Sequence, residues 1–265
     1  MTLECMGIVD LHHHLLPAVD DGAVDLATAI EMARQAVKEG IATVVATPHT
    51  FDGTYDVTRE AARDAHERLV AALRVDGIDL DVRLAGEVHM HEGIPELLQR
   101  DPGVTLDGHG RILLLELPHQ GPPPGLHDFL FRLQAGGTTP MIAHPERNLA
   151  VRKKPELASD WLQAGALLQL TAGSLTGAFG EPIRACAEQL LRAGAAHVVA
   201  TDAHSPGKRP PLVQEAFRAV TGLVGRDAAH ALFVANPLRV LAGEIPPPLP
   251  VAAKPHRGLF ARLFR

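Results

Sequence analysis

The sequence predicts an α/β chain built on a parallel sheet that closes, or nearly closes, into a barrel. Short apolar runs alternate along the chain with longer segments of helical period, and seven of these runs have strand character. Strands that alternate with helices make βαβ units, whose strands run parallel and whose crossovers are right-handed. Seven strands fit a barrel better than a short open sheet. No Gly-x-Gly-x-x-Gly follows any of them, which removes the commonest use of the doubly wound alternative. A length of 265 residues with 46% hydrophobic content suits one such domain.

The first strand is expected at residues 7–11. A helix follows over 26–39, where Leu26, Ile30, Ala33 and Val37 recur at steps of three and four, between an Asp25 N-cap and Gly40. A strand at 42–47 and a helix over 60–74 come next. Strands at 80–85, 111–117, 139–143 and 166–170 lead to a helix over 182–193 and a last strand at 197–201. After Leu241 the composition changes: Pro246-Pro247-Pro248-Leu249-Pro250 reads as a stiff linker, followed by a basic tail. The expected organisation is a globular domain over 1–245 and a linker with tail over 246–265. In that tail Leu259, Phe260, Leu263 and Phe264 share one helical face, with Arg257, Arg262 and Arg265 available to the other. Such a segment suits an anionic membrane surface or a partner, and equally a frayed terminus.

With 25 Lys and Arg against 31 Asp and Glu there is no global basic field, which disfavours nucleic acid as a partner. Two cysteines exclude a disulfide scaffold and a cysteine-only zinc site. No apolar run reaches about 18 residues and no secretion signal opens the chain, so a cytoplasmic protein is expected. One count stands out: 15 histidines against eight Phe, one Trp and one Tyr. Histidine is the commonest metal ligand, so position must decide whether these are surface residues or a site.

Position favours a site. The first strand runs into Asp10-Leu11-His12-His13-His14, the second into Thr47-Pro48-His49, the third into Gly86-Glu87 and the fourth into Glu116-Leu117-Pro118. The fifth gives His144-Pro145-Glu146-Arg147, and the seventh Thr201-Asp202-Ala203-His204. In a parallel barrel the C-terminal strand ends share one face. On extended backbone His12 and His14 point the same way, as do Asp202 and His204, while His13 points away. Nitrogen and carboxylate ligands without thiolate suit Mn2+, Fe or Zn2+, and they outnumber what one ion uses, so two or three ions are expected. Asp21 reads equally as a ligand or a loop carboxylate. Arg147 and Arg209 supply guanidinium forks that suit phosphate, although either alone would read as a surface ion-pair partner. His89, His91, His109 and His119 read as solvated rim residues. Cys186 and Arg192 match the Cys-x5-Arg spacing of cysteine-dependent phosphatases, but the residues between them are helix formers without glycine, so the thiol reads as packing.

Asp-Leu-His-His-His-Leu-Leu-Pro with Asp-Asp-Gly, Ala-Thr-Pro-His, Leu-Leu-Glu-Leu-Pro, Ile-Ala-His-Pro-Glu-Arg-Asn, Gln-Leu-Thr-Ala-Gly-Ser-Leu-Thr-Gly and Ala-Thr-Asp-Ala-His-Ser occur in this order, in a resemblance that covers roughly residues 8–237. The chain resembles the bacterial manganese-dependent protein-tyrosine phosphatases of the PHP (polymerase and histidinol phosphatase) superfamily, which act in capsule and exopolysaccharide biosynthesis. The resemblance implies a distorted (β/α)7 barrel with a trinuclear metal centre. Carried over by position, the ligands are His12, His14, Asp21, His49, Glu87, Glu116, His144, Asp202 and His204. The implied grouping puts His12, His14 and Asp202 on one ion, Glu116 and His144 on another, and Asp21, His49 and His204 on a third, with Glu87 bridging the first two. Arg147 and Arg209 match the phosphate-contacting arginines. The implied substrate is the tyrosine-phosphorylated tail of a membrane-associated autokinase, which places the enzyme in the cytoplasm, peripheral to the inner face of the membrane.

Two departures accompany this resemblance: His13 replaces a small or polar residue, and Val88-His89-Met90-His91 is unusually rich in histidine. The mechanism expected of such a centre is direct attack on phosphorus by a metal-bridging hydroxide. Its rivals are a small-molecule phosphomonoesterase of histidinol-phosphate or nucleotide type on the same barrel, and a non-enzymatic metal-binding adaptor.

Overall fold

Every paired strand is parallel to its neighbours. In the computed structural model, which describes residues 7–249 except Asp52 and Asp56, the strands are β1 (Ile8–His13), β2 (Ile41–Ala46), β3 (His49–Thr50), β4 (Asp81–Leu84), β5 (Glu87–His89), β6 (Ile112–Glu116), β7 (Thr139–Ala143), β8 (Leu167–Thr171) and β9 (Val198–Ala200). The expected tail at 257–265 lies outside the described residues, as does Cys5. Around the sheets run α1 (Leu26–Lys38), α2 (Arg59–Val75), α3 (Ile94–Arg100), α4 (Leu126–Ala135), α5 (Leu149–Lys153), α6 (Glu156–Gln163), α7 (Ala172–Thr176), α8 (Glu181–Arg192), α9 (Gln214–Val224), α10 (Arg226–His230) and α11 (Asn236–Leu241). No described helix is long and apolar enough to cross a membrane.

The α/β class and the parallel pairing are as expected, but no closed barrel is found among the described residues. The strands form a three-stranded sheet, β1-β2-β4, and a six-stranded sheet, β3-β5-β6-β7-β8-β9. The expected second and third strands are β2 and β4, and each is followed after a short break by a further strand, β3 and β5, that belongs to the other sheet. Pro48 has no N–H to give to a ladder, and across from it the chain bends at Ala85-Gly86. Two backbone bonds still cross the cut, Ala85 N–H to Ala46 O at 2.9 Å and Glu87 N–H to Pro48 O at 3.1 Å. At the other margin β1 meets the end of β9 through a single bridge, His13 to Ala203. There Asp202 N–H donates to His12 O at 2.8 Å and His14 N–H to Ala203 O at 2.9 Å.

Strands β1, β6 and β8 are buried from end to end, as parallel strands covered on both faces must be. Their two-residue alternation sorts side chains into two cores. Leu113, Leu115, Ile142, Leu168 and Leu170 join the helices, while Val9, Leu11, Val45, Ile112, Leu114 and Met141 pack on the other face with Val240 of α11. Helix α1 is capped as expected by Asp25, which accepts the Thr28 N–H at 2.8 Å, and Gly40 follows with φ +87°. Its buried face differs from the predicted stripe. Ala29, Met32, Ala33 and Ala36 are buried, while Leu26 and Val37 are exposed. The small alanines let the helix lie close against its neighbours, and that outweighs the larger side chains on the next face. The packed chain also runs past the expected boundary at 245: Pro246 and Leu249 are buried, Leu249 within the larger core.

Candidate metal centre

Local devices hold several of the expected ligands in place. Within β1, Asp10 is buried and accepts the Thr201 N–H at 2.9 Å together with the Thr201 hydroxyl, which ties β1 to the residue that follows β9. Gly22 follows the Asp20-Asp21 pair and lies against the His14 backbone so closely that a Cβ there would stand 2.1 Å from His14 O. At the end of β7, His144 takes the left-handed conformation with φ +35° and leads into a 3-10 turn at Pro145–Arg147. Asn148 closes that turn: its side chain accepts from Ala150 N–H and donates to Pro118 O. Glu146, buried beneath it, accepts the Thr171 N–H at 2.8 Å. Asp202 is likewise left-handed, with φ +52°. Such conformations in residues other than glycine are uncommon and gather at functional sites.

The fold brings all nine expected ligands to one rim in four groups. His14, Asp21, His49 and His204 form one, and His12, His14 and Glu87 a second. His12, His144 and Asp202 form a third, and His49, Glu87 and Glu116 the last. The ligand atoms within each group lie within 4.8 Å of one another. Asp21, His49 and His204 stand together as the resemblance implies. His144, by contrast, groups with His12 and Asp202, and its Nε2 is 3.0 Å from Glu87 Oε1 but 3.9 Å from Glu116 Oε1.

The hydrogen bonding shows what the centre is shaped for. His12 Nδ1 is 3.0 Å from Gln169 Oε1, and Gln169 is oriented by its own donation to Leu170 O at 2.7 Å. His14 Nδ1 donates to Asp20 Oδ2 at 2.8 Å, and His204 Nδ1 to Asp202 O at 3.0 Å. With these Nδ1 positions protonated, neutral rings turn Nε2 lone pairs inward. His12 and His14 Nε2 face each other at 3.3 Å, each 3.3 Å from Glu87 Oε2 and at 3.3 and 3.5 Å from Asp202 Oδ1. His49 Nδ1 is buried 3.2 Å from Glu87 Oε2 yet makes no hydrogen bond. Acceptors converging on acceptors need a cation between them, so this donor set fits metal ions. Without them protons fill the role. Burial opposes charge on His14, but hydrogen bonds to Asp20, Asp202 and Glu87 hold its pKa well above the usual value. Burial likewise opposes charge on Glu87 and Asp202, and the neighbouring His12 helps hold both well below the carboxylate range.

The two arginines reach the same place. Arg147 Nη1 and Arg209 Nη2 both donate to Asp202 Oδ2, the latter at 2.6 Å, while Oδ1 of that carboxylate faces the imidazoles. Arg209 is set by a tight loop in which its N–H meets Ser205 Oγ and its carbonyl accepts the His204 N–H at 2.9 Å.

Some residues depart from the sequence reading. His89 is not merely a solvated rim residue, since its Nδ1 lies 3.2 Å from Glu116 Oε2. Asp20 and Gln169 were not singled out as part of the centre. The Asp-Asp pair before Gly22 was a signal for Asp20, whereas Gln169 within β8 gave none. His13 is buried and belongs to none of the four ligand groups. Cys186 is buried in α8 and burial pushes its thiol up to about 11, which makes it a packing residue.

The sequence matches the capsular polysaccharide synthesis CpsB/CapC family over residues 8–242. This chain belongs to the CpsB/CapC family. Among its relatives, the tyrosine-protein phosphatase YwqE of Bacillus subtilis is 36% identical over 225 residues, covering 85% of this chain and 88% of YwqE. The putative tyrosine-protein phosphatase CapC of Staphylococcus aureus is 33% identical over 210 residues, or 79% and 82% of the two chains. A crystal structure from work on YwqE and on CpsB of Streptococcus pneumoniae, described as unique metal-dependent tyrosine phosphatases, superposes with a TM-score of 0.84. It is 34% identical and covers 92% of this chain and all of that one. The converging acceptors thus lie in a CpsB/CapC chain whose fold matches a metal-dependent enzyme.

Proposed function

We propose that this chain is a metal-dependent tyrosine-protein phosphatase that removes phosphate from phosphotyrosine in a protein of capsule or exopolysaccharide synthesis. The observation that carries the reading is the rim of imidazole and carboxylate acceptors at 3.3 Å from one another, in a chain of the CpsB/CapC family. In this reading His12, His14, Asp21, His49, Glu87, Glu116, His144, Asp202 and His204 hold two or three ions, preferably Mn2+, with Fe or Zn2+ as substitutes. The two sheets act as one distorted seven-stranded barrel, cut at Thr47-Pro48 and Ala85-Gly86, whose strand ends form the rim.

Bound ions supply a nucleophile at neutral pH and positive charge for phosphoryl oxygens. The chain's own residues do the rest. Asp202 ties the two halves of the site together, one oxygen toward the ligand imidazoles and the other holding Arg147 and Arg209. The guanidiniums present further N–H donors to the phosphoryl group and balance the charge that develops on it. Gln169, Asp20 and the Asp202 carbonyl fix which nitrogen of His12, His14 and His204 faces the centre. Phenolate, with a conjugate-acid pKa of about 10, leaves with little help from a general acid. That favours phosphotyrosine over alkyl phosphates.

The partner in this reading is the tyrosine-phosphorylated tail of a membrane-associated autokinase, met at the cytoplasmic face of the membrane. Comparing kcat/KM of the Mn2+-loaded chain on a phosphotyrosyl peptide, histidinol phosphate and a nucleoside monophosphate tests the substrate class. The peptide should be preferred by at least about tenfold, roughly 1.4 kcal/mol of transition-state binding. Preference for either small phosphomonoester would replace this reading with the small-molecule enzyme.

A further inference from the structure

Two cations converge on one carboxylate oxygen at the rim, and a single aromatic ring accompanies both. The Cζ atoms of Arg147 and Arg209 lie 5.0 and 5.9 Å from the centroid of the Phe179 ring. Both distances fall within cation–π range. The ring belongs to the loop between α7 and α8, bracketed by Gly177 and Gly180 with φ of +84° and +90°. Room for it is made by Gly173, where a Cβ would stand 2.9 Å from Phe179 Cε2. The Thr-Ala-Gly-Ser-Leu-Thr-Gly segment supplies no expected ligand, yet the loop it leads into brings the Phe179 ring to the two guanidiniums.

Like charges held this close repel each other. A second carboxylate would relieve the repulsion, but it would consume N–H donors and neutralise the charge a phosphate needs. The face of a benzene ring attracts both cations through its quadrupole and occupies no in-plane N–H group. We propose that Phe179 is a positioning residue that holds Arg147 and Arg209 at the spacing that grips the phosphoryl group. This rests on the proposed phosphate-binding role of the two arginines.

The test uses the full, metal-loaded chain and inorganic phosphate as the probe, followed by isothermal titration. Metal content and thermal midpoint are measured on every variant. Phe179→Leu keeps an apolar side chain but removes the ring. It should weaken phosphate binding roughly tenfold and raise KM for a phosphotyrosyl peptide to a similar extent, with metal content unchanged. Phe179→Tyr and Phe179→Trp should restore binding to within about twofold of the original chain. Should Phe179→Leu fail to fold, Gly173→Ala, which displaces the ring, decides by weakening phosphate binding or leaving it unchanged. Unchanged binding in Phe179→Leu, or equal losses in the Leu and Tyr variants, overturns the inference. Arg147→Ala and Arg209→Ala separate the two ideas. If neither weakens phosphate binding, the arginine reading itself is wrong. If they weaken it while Phe179→Leu does not, only the role of Phe179 falls.

Discussion

At the rim, His12, His14 and His204 each spend one nitrogen on a neighbour and turn the other toward a shared space. This division of labour predicts that residues outside the ligand set govern metal affinity. Asp20→Asn and Gln169→Ala should each lower affinity by about 10–100-fold, read by competition with a chelating dye. Affinity equal to that of the original chain in both would remove these partners from the account. His144→Ala and Asp202→Ala should abolish turnover and reduce bound metal, and full activity in both would defeat their assignment. Eight of the nine proposed ligands were legible in the sequence because they fall at or just past the end of an apolar run, whereas Asp21 lies in a loop and entered through the resemblance. The supporting residues were less so. Gln169 is a polar residue in a buried strand, and only the fold, which sets it beside His12 at a separation of 157 positions, gives it a partner. His89 is separated from His91 by one residue, and nothing local distinguishes it from a solvated neighbour.

At the scale of elements, the seven apolar runs correctly gave parallel strands, but not the breaks after two of them or the short strands β3 and β5 beyond those breaks. The break at Pro48 follows from a residue visible in the sequence. The pairing across it, which decides that the opposite strand also breaks at Gly86, is a long-range fact. Similarly, periodicity found α1 with its cap and, in Ile30 and Ala33, part of its packed face, but it included the exposed Leu26 and Val37 and missed Ala29, Met32 and Ala36, because alanine carries too little hydrophobicity to reveal how closely a helix packs. Close approach also gives Gly22 its place beneath His14. Gly22→Ala should destabilise the fold by about 2–4 kcal/mol in urea unfolding, whereas Gly207→Ala, with open space around it, should stay within about 0.5 kcal/mol. Equal effects of the two changes would contradict this reading of the Asp-Asp-Gly turn.

Across the whole molecule, His197 joins the sheet to the C-terminal helices. It is 6% exposed, its Nδ1 accepts the Leu168 N–H at 3.2 Å, and its carbonyl accepts from Asn236 at the start of α11. Burial lowers its pKa from 6.5 to about 4. The unfolded chain therefore binds this proton more readily, so the contribution is complete above pH 6.5 and is lost as pH falls toward 4. The loss amounts to about 3 kcal/mol. Urea unfolding of the original chain and of His197→Gln should show stability falling more steeply in the former over that window, and parallel profiles would contradict the assignment. The central claim concerns the rim as a whole, a set of acceptors that needs cations to work. It is tested most directly by stripping the folded chain with a chelator and assaying a phosphotyrosyl peptide before and after Mn2+ is returned. The account predicts no hydrolysis without metal and recovery on loading two or three ions per chain. Full hydrolysis by the stripped chain, or none with any divalent metal, would contradict it.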